Sequence, residues 1–125
     1  MKYLCDTCIL IDYLRGKEET KTILAGDRVV GLGMSVITYM ELMVGARNKR
    51  EVNLIKKAFA DFQVLDVSPA ISQKASHLIE QYAKSHGLLI PDALIAATAL
   101  EYSTPLYTSN ISDFQFIPGI FLYQP

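Results

Sequence analysis

The sequence predicts an α/β domain built on a central, mostly parallel sheet of about five strands. Three observations predict it. Short apolar runs alternate with helix-like segments along the chain. A long segment from Pro69 repeats apolar residues at helical spacing. The stretch "LLIPDALIAATAL", residues 88–100, is apolar nearly all round, as a helix buried against other elements would be. The chain has 125 residues, of which 50% are hydrophobic. That suits a single domain, residues 1–125, with a substantial core. No repeat, low-complexity tract or Pro/Gly-rich linker divides it.

Taken in order, "KYLC" at 2–5 reads as a first strand, and "CILIDYLR" at 8–15 as a helix stopped by Gly16. "KEETKTILAG" suggests a second short helix ending at Gly26, and "DRVVGLGMS" the next strand. "VITYMELMVGAR" reads as a helix with Thr38 as its candidate cap. "REVNLIKKAFADF" places Val52, Ile55, Phe59 and Phe62 at helical spacing, and "QVLDV" is a strand candidate. From Pro69, Ile71, Ala75, Leu78, Ile79 and Tyr82 fall at i, i+4, i+7, i+8 and i+11, one continuous face, and Gly87 ends the helix. An apolar helix is expected from Asp92 to Tyr102. "PLYTS" and "GIFLY" complete the strands.

Twelve basic residues face thirteen acidic ones, which excludes a general attraction to nucleic acid but not a local basic patch. The longest apolar run is broken by Pro91 and Asp92, so no transmembrane segment is expected. Asp6 and Asp12 interrupt the apolar N-terminus, against a signal peptide. Two cysteines without an export signal make a reducing cytoplasm the expected location.

Four acids hold equivalent places in this plan. Asp6 ends the first strand, Glu41 lies in the first turn of the helix after the second strand, Asp92 opens the apolar helix, and Asp113 lies in the loop after the fourth strand. Parallel sheets gather functional groups beyond the carboxyl ends of their strands, so all four are expected on one rim. Two like charges about 4 Å apart repel by roughly 4 kcal/mol at an effective dielectric near 20. Protonation or a cation must relieve a cluster of them, and a hard divalent ion suits carboxylate oxygens. Each acid also has an ordinary reading. Asp92 fits a helix N-cap, and Thr38-Tyr39-Met40-Glu41 fits a capping box. Asp6 fits a turn or cap, and Asp113 a solvated loop. Spacing alone leaves both readings open.

Together, "LCDTCILIDYLRG", "SVITYMELMVGAR", "IPDALIAATALEY" and "LYTSNISDFQFIPGI" resemble, in that order and across nearly the full chain, the PIN-domain ribonucleases. The resemblance is strongest to the VapC toxins of type II toxin–antitoxin systems. It implies a PIN-like α/β/α sandwich and a catalytic and metal-binding set of Asp6, Glu41, Asp92 and Asp113 around Mg²⁺ or Mn²⁺. It also implies supporting hydroxyls from Thr7 and from Thr108 or Ser109, while Asn110 stands where some relatives carry a further acid. The implied reaction is endonucleolytic cleavage of RNA by metal-activated water, leaving 5′-phosphate and 3′-hydroxyl ends. The implied partners are the RNA substrate, a small inhibitory antitoxin and a second copy of the chain.

Arg15, Arg47, Lys49 and Arg50 follow the first two acidic blocks and are candidate phosphate contacts, or equally a solvated patch. Ile11, Leu14, Ile55 and Phe59 could line a groove for a partner helix, or simply pack in the core. His77 and His86 belong to no matching block, and no general-base histidine is assigned. Cys5-Asp6-Thr7-Cys8 is a C-x-x-C, where similar proteins usually carry an uncharged residue such as serine at Cys8. It admits a thiol–disulfide reading. A non-catalytic PIN-like binding module is the other alternative, and the four intact acids weigh against it.

Overall fold

The computed structural model describes residues 1–125. The elements run β1 (Tyr3–Cys5), α1 (Thr7–Leu14), α2 (Glu18–Asp27), β2 (Leu32–Ser35), α3 (Val36–Gly45), α4 (Lys49–Ala58), β3 (Gln63–Leu65), α5 (Pro69–His86), α6 (Ile90–Glu101) and β4 (Leu106–Tyr107), followed by a 3-10 turn at Ile111–Asp113. The sheet has four strands in the order β3-β2-β1-β4, and every pairing is parallel. "GIFLY" contributes a single bridge, Leu122 to Leu106, rather than a full strand, so the expected sheet of about five strands holds.

β1, β2 and β4 are short and buried on both faces, as a sheet covered by helices on each side requires, while the edge strand β3 exposes Gln63 and Val64. In β1 the side chains alternate. Leu4 joins one core with residues of α5 and α6, including Ile71, Leu78, Ala93 and Ile95. Tyr3 and Cys5 join the other with Leu10, Leu24, Leu32, Met34 and Phe59 from the α1–α4 side. A fully buried Ile71 makes its truncation to alanine cost about 2–5 kcal/mol. No helix is long and apolar enough to cross a membrane.

Helix ends follow local chemistry. Ser68 caps α5 by accepting from the Ile71 amide at 3.1 Å, Pro69 sits in its first turn, and Gly87 closes it in a left-handed conformation at φ 70°. Three expectations are corrected. Thr38 does not cap α3: Ser35 does, by accepting from the Ile37 amide, so Glu41 lies in the second turn and forms no capping box. The apolar helix begins at Ile90, with Leu89 at its N-cap position. Asp92 therefore lies inside the first turn, where its carboxylate caps nothing. Finally, "DRVVG" is the end of α2 and a turn, and β2 starts only at Leu32.

Candidate active site

Asp6 is the junction between β1 and α1. Its amide continues the sheet by donating to the Tyr107 carbonyl of β4, and its carboxylate caps α1 by accepting from the Thr7 amide at 2.9 Å. The cap reading of Asp6 thus holds, yet it uses only one oxygen. The other accepts from Thr108 Oγ1 at 2.8 Å and from the Cys8 thiol at 3.3 Å. Asp6 is 4% exposed, and these donors fix its orientation.

Glu41 reaches the same place from α3. Thr7 Oγ1 donates to Glu41 Oε1 at 2.6 Å and shares a 3.0 Å hydrogen bond with the buried Thr38 Oγ1. Thr38 was not expected here. Its signal was the Thr-x-x-Glu spacing, which places both side chains on one helical face. That spacing serves contact with Thr7 rather than a helix cap.

Asp92 and Asp113 complete the rim from α6 and from the turn after β4. Asp92 accepts no hydrogen bond from the protein, although it is only partly exposed. Partial burial pushes its carboxyl up to about 6, and the charges of Asp6, Asp113 and Glu41 push it the same way. The charges of Asp6, Asp113 and Glu41 are thus within electrostatic reach of Asp92. No three Asp, Glu, Cys or His side chains are grouped closely enough to hold a metal ion by themselves.

Thr108 is buried and also accepts from the Asn110 amide at 3.0 Å, which ties the loop carrying Asp113 to Asp6. Ser109 donates to the Cys8 sulfur at 3.2 Å, while the Asn110 side chain is exposed and makes no cap. Cys5 and Cys8 form no disulfide with each other. Cys5 is fully buried, and burial pushes its thiol well above the ordinary value, which makes it a poor nucleophile. Cys8 instead serves as a donor to Asp6.

The basic candidates divide. Arg47 is held by Glu51: its backbone amide donates to Oε1, and its Nε and Nη2 both donate to Oε2, at 2.9 and 2.7 Å. Arg15, Lys49 and Arg50 are exposed and form no ion pair. Between α1, α3 and α4 runs a groove of about 650 Å³, lined by Ile11, Leu14, Leu42, Leu54 and Ile55 with Arg15, Glu41 and Arg47 at its polar margin. Phe59 lies in the core beneath rather than in the groove.

Residues 3–115 match the family model described as the PIN domain. Ribonuclease VapC10 of Mycobacterium tuberculosis is 34% identical over 89% of this chain and 84% of that protein. Ribonuclease VapC19 of the same organism is 30% identical over 94% of this chain and 95% of its own length. A solved toxin–antitoxin complex from Klebsiella pneumoniae contains a chain that superposes with a TM-score of 0.79 at 33% identity, covering 98% of this chain and 99% of that one.

Proposed function

The chain belongs to the PIN-domain family, and from that premise we propose that it is a divalent-metal-dependent endoribonuclease toxin of the VapC kind, restrained by a small antitoxin. One observation carries the reading: Asp92 stands in the first turn of α6 without a hydrogen-bond donor, facing the fields of Asp6, Asp113 and Glu41. A structural carboxylate would be paired or capped. One left open among like charges is suited to a cation.

The donor set fits Mg²⁺ or Mn²⁺, which prefer oxygen ligands. Mg²⁺ keeps several of its waters and takes one or two carboxylates directly, so an open rim suits it better than a closed cage would. Asp6, Asp92, Asp113 and Glu41 are the residues that would hold it. Bound there, the ion supplies a hydroxide nucleophile and neutralises charge on the phosphodiester. The chain's own groups do the positioning. Thr7, Thr108 and Cys8 orient the carboxylates of Asp6 and Glu41, and the helix start around Asp92 presents its carboxylate without a competing donor. The products would be 5′-phosphate and 3′-hydroxyl ends.

For the antitoxin we assign the groove between α1, α3 and α4, whose Leu14 and Leu54 are 40% and 54% exposed. Its margin includes Glu41, so a peptide seated there would reach the acidic rim. The toxin would act in the cytoplasm, as a homodimer like similar proteins.

The test is cleavage of RNA by the purified chain with Mg²⁺ or Mn²⁺, with excess EDTA, and after Asp92→Asn. Cleavage that needs the ion and is lost in the variant supports the reading. Equal cleavage in EDTA would contradict it. Sequencing the 5′ ends of cellular RNA after brief induction would then identify the target.

A further inference from the structure

We propose that His86 and Phe116 form a stacking platform for one unpaired base of the RNA, beside the acidic rim; this rests on the ribonuclease reading above. The His86 imidazole lies flat on the Phe116 ring, with centroids 4.3 Å apart and planes 19° apart. Tyr82 braces both rings, at 5.5 Å from His86 and 5.2 Å from Phe116. The Ser85 hydroxyl lies 2.8 Å from His86 Nδ1 and holds the imidazole in its plane. Phe116 covers one face of this ring, Tyr82 meets it edge-on, and the residue is still exposed to solvent.

A basic residue in the last turn of α5 is explained by the helix dipole, which Lys84 shares. That accounts for a charge, but not for a ring stacked and held from three sides while remaining open to solvent. Position supplies the rest. His86 leads through the α5–α6 turn into Asp92, and Phe116 follows Asp113 in the loop after β4. Both rings therefore belong to the segments that carry two of the four acids. Leu89 and Ile90, between His86 and Asp92 in the chain, are 65% and 67% exposed.

The electrostatics favour such a contact. RNA must approach four carboxylates on a chain of formal net charge −1. Arg28 and Arg47 are engaged by Asp61 and Glu51, which leaves Arg15, Lys49 and Arg50, of the candidate phosphate contacts, as unpaired cations suited to phosphates rather than to bases. Stacking on an aromatic face tolerates any base, requires no positive field and costs little entropy when the ring is already fixed.

The test uses the full-length Asp92→Asn chain, which binds without cutting, and a labelled short single-stranded RNA. An abasic nucleotide is placed at each position in turn, and binding is read by fluorescence anisotropy. His86→Ala is expected to weaken binding about tenfold, and His86→Phe to restore it, since a base stacks on either ring. One abasic position should weaken binding of the parent equally, and His86→Ala should then add no further loss there. Unchanged binding by His86→Ala would overturn the proposal. So would an added loss of the same size at every abasic position, or rescue by His86→Lys but not by His86→Phe. Metal-dependent cleavage by the native chain is scored separately. If it persists while His86→Ala binds normally, the platform alone fails; if it is absent, the ribonuclease reading fails.

Discussion

Asp27 and Asp92 stand at opposite edges of the same sheet and are treated in opposite ways. Asp27 ends α2 beside the start of β1. Burial pushes its carboxyl up, but Lys2 Nζ, Tyr3 OH and Tyr123 OH all donate to it, and their hydrogen bonds hold it below the ordinary carboxylate value. The Tyr3, Tyr107 and Tyr123 rings pack around this site, with centroids 4.2–5.4 Å apart. Asp92 has no donor, and partial burial, with the charges of Asp6, Asp113 and Glu41 acting the same way, pushes it up to about 6. Asp27 clamps the chain's end to the fold. Asp92 carries an electrostatic cost that a proton or a bound cation would relieve, and such costs collect at functional sites.

This contrast can be broken most strongly at the acidic edge. Asp6→Asn is expected to lower RNA cleavage by about a hundredfold or more, the scale of losing one preorganised electrostatic group. The amide oxygen of the variant still accepts from the Thr7 amide, and its NH2 can donate to the Thr108 hydroxyl, so the circular dichroism spectrum should remain native.

At the other edge the effects exchange places. Asp27→Ala leaves the phenol of the buried Tyr3 without its acceptor and should cost about 1–3 kcal/mol of stability, read by urea denaturation. Cleavage per folded molecule should be unchanged. A loss of activity larger than the loss of folded protein would mean that the two edges are coupled.

Titration sharpens the contrast, because the two groups shift in opposite senses. Asp27 has its folded pKa lowered, so its stabilisation is present above the ordinary value of 3.8 and is lost as pH falls through the lower folded value. Asp92 has its folded pKa raised to about 6 from 3.8. The native state then binds the extra proton, so the penalty is present above pH 6 and is relieved as pH falls toward 3.8. Relative to Asp92→Asn, the native chain should therefore gain stability on mild acidification. The same comparison with Asp27→Asn should show a loss, at lower pH.

The smallest effect is expected at Cys8. Cys8→Ser retains a donor for Asp6 and an acceptor for Ser109, so stability should change by less than about 1 kcal/mol and cleavage should stay near the native level. A large loss of cleavage would restore a thiol role.

The sequence made the local devices legible and left the long-range ones hidden. α5 could be read almost to the residue, because Pro69, its apolar face and Gly87 are all local signals. The four acids stand out in the sequence because Asp6 follows β1, Asp92 lies in the first turn of α6, and Glu41 and Asp113 lie in the segments that follow β2 and β4. Boundaries failed where two candidates competed within a few residues. Ser35 caps α3 although Thr38 fitted a capping box, because the polypeptide turns directly from β2 into the helix. Asp92 looked like a cap because Pro91 precedes it, but Pro91 is itself inside the first turn. The Asp27 clamp and the His86–Phe116 stack had no signal, since each joins residues that meet only through the tertiary fold.

The account turns on whether the acidic edge is strained by shared charge that a cation relieves. The direct measurement is thermal unfolding of the native chain and of Asp92→Asn near neutral pH, each with and without Mn²⁺. Without the ion, Asp92→Asn should melt higher than the native chain, since it removes a charge from a repelling set. With the ion, the native chain should gain the larger increase. If Asp92→Asn melts lower without the ion, or gains as much as the native chain with it, the acidic edge is not the cation site described.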